Sequence, residues 1–139
     1  MAGYSGTALV KKLGIRAGET VCVINAPAHY AQLLGKLPEG AVLSQEVSDG
    51  VAFVHLFVAK RSKLKTQLKR LRSKLADAGM LWVSWPKKAA RVPTDVTEDV
   101  IRAEALPLGF VDVKVCAVDE TWSGLKLMIR RTERGKKRI

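Results

Sequence analysis

Two lysines, two carboxylates and two tryptophans are the side chains here best placed by type to do chemistry. Lys87 and Lys88 follow Trp85-Pro86 at the end of an apolar run that begins at Met80. Asp119 and Glu120 precede Trp122 in a polar break between two strand-like runs. A carboxylate beside a lysine shifts both pKa values, which suits acid–base work. With Asn25 and Ser84 added, the candidate ligand-binding set is Asn25, Ser84, Trp85, Lys87, Lys88, Asp119, Glu120 and Trp122. The plain alternative is a surface ion pair, with the tryptophans filling core space. No Ser–His–Asp order, nucleophile elbow or phosphate loop accompanies these residues, so no catalytic residue is assigned.

These residues share a place only if the elements around them form a parallel sheet. The runs 20–25, 51–58 and 80–85 are almost wholly apolar, as strands buried on both faces are. A weaker strand is expected at 41–46. Leu64, Leu68, Leu71 and Leu75 follow helical spacing, which predicts a helix over 62–78 stopped by Gly79. Ser5 can cap a short helix ending at Leu13, with Gly14 as its C′ residue. A second short helix starts near Pro27 and ends at Gly35. Asp95 and Glu98 read as a capping box for a helix over 96–106. Strands follow at 110–118 and 125–130, and so short a connection makes them antiparallel. Only about four residues separate the weak strand from Val51, so that strand is either very short or antiparallel.

Strands alternating with helices imply right-handed crossovers and a mostly parallel sheet. In such sheets ligands bind at the carboxyl ends of the strands. Asn25, Lys60, residues 85–88 and residues 119–120 would all lie on that edge. Trp82, in mid-strand, reads as core, and so does His55. Tyr30 reads as packing against the first helix. His29 and His55 lack metal-ligand spacing, and Cys22 and Cys116 sit in apolar runs as reduced thiols. No metal is expected.

Charge is the second signal. The 139 residues carry a net charge of +11. Lys60, Arg61, Lys63, Lys65, Lys69, Arg70, Arg72 and Lys74 fall in one stretch without an acid. Arg130, Arg131, Arg134, Lys136, Lys137 and Arg138 crowd the end against Glu133. Such clusters favour a nucleic acid or another polyanion, against the alternative of a solvated face. No aromatic residue is interleaved, so base stacking is not offered and binding would be nonspecific and salt-sensitive. No stretch of about 18 apolar residues predicts a membrane span. The first residues lack a basic-then-apolar leader, so the cytoplasm is the expected location. One domain over 1–131 and a basic tail over 132–139 are expected, and an oligomer is allowed.

The order of elements resembles the methyltransferase-like Rossmann fold: α/β, three layers, mostly parallel, with a final antiparallel hairpin strand. Segments 49–57 and 79–87 look like its middle strands. The chain is also similar to a small bacterial family of unknown function. That resemblance rests on Gly3-Tyr-Ser-Gly-Thr7, Leu9-Val-Lys-Lys-Leu-Gly14, Ile24-Asn-Ala-Pro27, Val54-His-Leu-Phe57, Trp82-Val-Ser-Trp-Pro-Lys-Lys88, Pro93-Thr-Asp95 and Val115-Cys-Ala-Val-Asp-Glu-Thr-Trp-Ser-Gly-Leu-Lys126. It brings no established activity. Methyltransferases of this fold hold S-adenosylmethionine over a glycine-rich loop after the first strand. Here that loop is Asn25-Ala-Pro-Ala-His-Tyr30, without glycine, and Pro27 lacks an N–H donor. Glu46 is the nearest counterpart of the acid that would hold the ribose. The expectation is therefore a noncatalytic binding or interaction module without a cofactor, its partner a polyanion. The alternative is an enzyme or binder of a small polar ligand using the strand-end crevice.

Overall fold

The computed structural model describes residues 8–136. A six-stranded sheet runs in the order β2-β1-β3-β4-β6-β5. Its strands are β1 (Thr20–Ile24), β2 (Val42–Ser44), β3 (Val51–Phe57), β4 (Leu75–Pro86), β5 (Phe110–Ala117) and β6 (Trp122–Ile129). β2, β1, β3 and β4 are parallel, while β6 runs antiparallel to both β4 and β5. The helices are α1 (Leu9–Leu13), α2 (Tyr30–Leu34), α3 (Arg61–Lys74) and α4 (Glu98–Ala105). The fold is the expected three-layer, mostly parallel α/β sheet closed by an antiparallel hairpin.

Alternation along the strands builds two cores. From β3, Phe53 and Phe57 join Leu9, Leu13, Tyr30 and Leu34 beneath α1 and α2. Val54 and Leu56 join Leu64, Leu68 and Leu71 of α3 on the other face. Those three leucines are 0% exposed, and burying each contributes about 1.5–3 kcal/mol. α1 ends at Gly14, whose φ of 80° places it in the left-handed region. The expected Ser5 cap lies outside the described residues.

Two local expectations are corrected, and the open question of the weak strand is decided. α3 stops at Lys74, and Leu75 opens β4 instead of continuing the helix. Leu75 pairs with Val51 and Met80 with Phe53, so residues 76–79 bulge opposite Ala52. Gly79 serves this bulge: a Cβ there would lie 2.9 Å from Leu75 Cδ1. β2 resolves as very short and parallel, at the sheet edge beside β1. Asp95 does not cap α4. Thr97 does, its side chain accepting from the Val100 N–H. Asp95 accepts instead from the Arg61 N–H at 2.6 Å, capping α3 from 34 residues away.

The start of the basic tail is seated on the fold. The Arg72 guanidinium donates to Glu133 O at 3.1 Å, and the Gly135 N–H donates to Asp77 Oδ1 at 3.0 Å. Lys137 and Arg138 lie outside the described residues. Among the described residues no helix is long and apolar enough to cross a membrane, and no cluster of His, Cys, Asp or Glu could hold a metal.

Candidate functional site

The chain leaves β1 by α2 toward β2 on one side, and β3 lies on the other side of β1. The carboxyl end of β1 is thus a topological switch point, where open α/β sheets bind ligands. Asn25 stands at this point with φ of 58°. This left-handed region is the one glycine enters freely, and Asn enters it more readily than most other residues.

A two-lobed crevice opens here. One lobe, of about 400 Å³, is walled by Val23, Ala26, Tyr30, Ala31, Leu43, Ser44 and Gln45. The other, of about 370 Å³, lies toward α3 and adds Ile24, Asn25, Val47 and Arg70. Val23, Ala26 and Gln45 belong to both. These volumes fall within the usual range for small-molecule sites. The lining combines small apolar side chains with a few polar groups, and Glu46 follows directly, its N–H donating to Ser44 Oγ.

Of the eight candidate ligand residues, Asn25 is on this crevice. The others cluster at the end of β4 and the β5–β6 connection. Ser84 is 0% exposed and faces the α1/α2 core. Its Oγ lies 2.7 Å from His55 Nε2, and His55 Nδ1 lies 2.8 Å from Tyr30 Oη. Trp85 is buried in the opposite core. Trp122 packs edge-on to Phe57 at 5.0 Å. Lys87 is half-buried, while Lys88 and Glu120 are exposed. The Lys87 N–H donates to Thr121 O at 2.8 Å, so the two loops do meet.

The expected partnership of Lys87 with Asp119 is replaced. Asp119 Oδ1 accepts from the N–H groups of Thr121 and Trp122, and Oδ2 lies 3.2 Å from His29 Nε2. Asp119 is 6% exposed, and the His29 side chain is about half exposed at 49%. A buried carboxylate therefore orients an imidazole in the loop that borders the crevice. Ninety positions separate the two residues, and no local spacing signals the pair.

In the row Tyr30–His55–Ser84, His55 and Ser84 are fully buried, and Tyr30, which also walls the first lobe, is nearly so. Burial lowers the His55 pKa to about 3, so its imidazole is neutral at pH 7. Neutral imidazole donates through one nitrogen and accepts through the other, which matches two hydroxyl neighbours. Burial also raises Tyr30, so its hydroxyl keeps its proton. His55 is thus a core histidine, as its mid-strand position implies. The Cys22 and Cys116 thiols are free, and burial raises both pKa values.

The basic stretch divides. Lys60, Arg61, Lys63, Lys65, Lys69 and Arg70 are exposed. Arg72 is 1% exposed and donates to Leu108 O at 2.8 Å, so it serves the fold and not the outward face. Lys74 pairs with Asp49 at 3.3 Å. Arg72 lies four residues after Leu68, on the buried stripe, and that spacing was the available signal.

No family model and no curated protein matches the chain. Solved structures do. A protein assigned as a type 11 methyltransferase from Sulfolobus solfataricus superposes with a TM-score of 0.60 at 14% identity, covering 90% of this chain and 91% of that one. An S-adenosylmethionine-dependent methyltransferase from Aquifex aeolicus gives 0.62 at 15% identity, covering 87% of each chain. Aeropyrum pernix fibrillarin, with S-adenosyl-L-methionine natively bound, gives 0.56 at 14% identity, covering 87% of this chain and 73% of that one. The likeness is one of fold: the chain has the architecture of these methyltransferases.

Two expectations are corrected by these findings. The chain was expected to be a noncatalytic module, and standard binding of S-adenosylmethionine was set aside. The first rested also on the absence of a catalytic motif, and the second on the loop after β1, which has no glycine and carries Pro27, with only Glu46 as a counterpart of the ribose-binding acid. Asn25 adopts the left-handed conformation that a glycine there would supply, and Asn25 and Ala26 are exposed beside an open crevice. Solved structures that share this fold over most of the chain include methyltransferases, and a fibrillarin among them has S-adenosyl-L-methionine bound. The noncatalytic expectation is withdrawn in the face of this likeness of fold.

Proposed function

We propose that this protein is an S-adenosylmethionine-dependent methyltransferase using the crevice over the carboxyl ends of β1 and β2. The observation that carries the reading is a crevice at the switch point, entered by a left-handed Asn25, in a sheet of methyltransferase architecture. The residues present fit the cofactor. Val23, Ala26, Ala31 and Leu43 offer apolar wall for a base, and Ser44, Gln45 and Glu46 offer polar groups for ribose hydroxyls. When bound, S-adenosylmethionine supplies an electrophilic methyl group. The chain's own part is to hold it and to keep the neighbouring loop in shape, the latter through Asp119 and His29. The small polar ligand expected at the strand ends is, on this reading, the cofactor or the methyl acceptor. A single domain in the cytoplasm is part of the same proposal. The motifs shared with the small bacterial family fit it but supply no acceptor.

Thermal unfolding with and without S-adenosylmethionine and S-adenosylhomocysteine tests the reading. Ligand at 100 times Kd should stabilise the fold by about 2.7 kcal/mol. Ala26→Trp, which fills both lobes, should abolish the shift while the ligand-free midpoint holds. A shift with ATP alone would transfer the crevice to another small ligand. No shift with either adenosyl compound overturns the proposal.

A further inference from the structure

Apart from the buried Arg72, helix α3 separates its apolar residues from its basic ones. Leu64, Leu68 and Leu71 are fully buried, and the outward positions are Lys63, Lys65, Thr66, Gln67, Lys69 and Arg70. Among the described residues, no carboxylate lies within ion-pair distance of Lys60, Lys63, Lys65 or Lys69. Glu104, which borders this face, is engaged by Arg61 Nε at 2.7 Å. A groove of about 420 Å³ runs between α3 on one side and the end of α4 with the segment after it on the other. Ser62, Lys65, Thr66 and Lys69 line it from α3, and across from them Glu104 sits beside an apolar floor of Ala103, Pro107 and Leu108.

We propose that the outward face of α3 and this groove bind a nucleic-acid backbone, with Lys63, Lys65 and Lys69 on phosphates and the apolar floor under sugar rings. Lys65 and Lys69 are four residues apart, so they project from one helix face about 6 Å apart along its axis. That is close to two strand steps of about 3.4 Å. A bilayer is the poorer fit, because a helix that anchors to membranes exposes apolar residues beside its lysines. None of the exposed large apolar residues lies on α3. The groove holds no aromatic ring for base stacking, so recognition is of phosphate and sugar, independent of sequence. Further cations extend the surface along the carboxyl edge. Thr94 Oγ1 donates to Ala59 O at 2.6 Å, which draws the loop bearing Lys88 and Arg91 toward Lys60. In the other direction Arg70 lines the crevice lobe, so the basic track ends at the candidate site.

Binding is read without S-adenosylmethionine, so this inference stands or falls apart from methyl transfer. Anisotropy titrations would use a fluorescent 20-nucleotide oligouridine strand and a mixed-sequence strand of equal length at 25–200 mM salt. Both strands should bind with similar affinity, and log K should fall with log salt with a slope of about −2 to −3, as for three or four phosphates. Lys65→Ala and Lys69→Ala should each reduce that slope by about 0.7 and leave thermal stability unchanged. Lys36→Ala, on the α2 side, should change neither. Absence of binding at 25 mM salt overturns the proposal. So does an equal loss with Lys36→Ala, or binding to polyglutamate or anionic vesicles in preference to both strands.

Discussion

The two sides of the sheet treat polar residues in opposite ways. Beneath α1 and α2, Tyr30, His55 and Ser84 are buried and bonded only to one another in a closed row. On α3, across the sheet, Lys63, Lys65 and Lys69 are exposed, and among the described residues none of them has a carboxylate partner. The first arrangement costs nothing while every atom keeps its partner, and it fails when one is removed. The second contributes little to stability and leaves charge available. Arg70 and Arg72 repeat the contrast within one helix. Two residues apart, one faces the crevice and the other holds two backbone carbonyls in the interior.

Acid titration should break the contrast most strongly. An unfolded histidine takes its proton near pH 6.5, and buried His55 only near pH 3. Between those values the unfolded state binds the extra proton, so stability falls as pH falls. The slope from this group is about 1.4 kcal/mol per pH unit, or about 3 kcal/mol lost by pH 4. Urea unfolding from pH 7 to 4 should show it, and His55→Gln should remove about one proton from the acid limb. An unchanged limb in His55→Gln would show that His55 titrates normally. Next in size, Arg72→Ala should cost about 2–3 kcal/mol, through lost charged hydrogen bonds and unpaired carbonyls. Arg70→Ala should stay within about 0.5 kcal/mol. Equal losses by chemical denaturation would erase the distinction. Smallest, Asp95→Ala should cost about 1 kcal/mol as a lost helix cap. Asp95→Asn should recover most of it, since the amide oxygen still accepts, whereas a cap for α4 would be affected through Thr97→Ala instead.

The buried strands were legible because both faces of each one are apolar. The hairpin was legible because its connection is too short for any other pairing. The end of α3 was not. Leu75 fits the helical stripe and is buried either way, so periodicity does not report that the backbone has become extended. The direction of β2 was left open because three residues carry no period of their own; pairing with β1 fixes it. At the site, the chemistry of Lys87 and Asp119 suggested a pair, but the buried carboxylate found an imidazole and two amides nearer at hand. Asn25 was read as a missing glycine. Its tolerance of positive φ was the overlooked clue.

The brevity of β2 has a consequence of its own. β1 pairs with β2 only through Thr20, Val21 and Cys22, whereas β3 pairs with it as far as Ile24. Beyond Cys22 the outer flank of β1 is a ladder with its last rungs missing, and both lobes of the crevice open against Val23 at that gap. The vacancy is set by strand length before any side chain is chosen. Two more residues of β2 would close it by backbone pairing alone, and the same α/β scaffold would persist with its doorway bricked up.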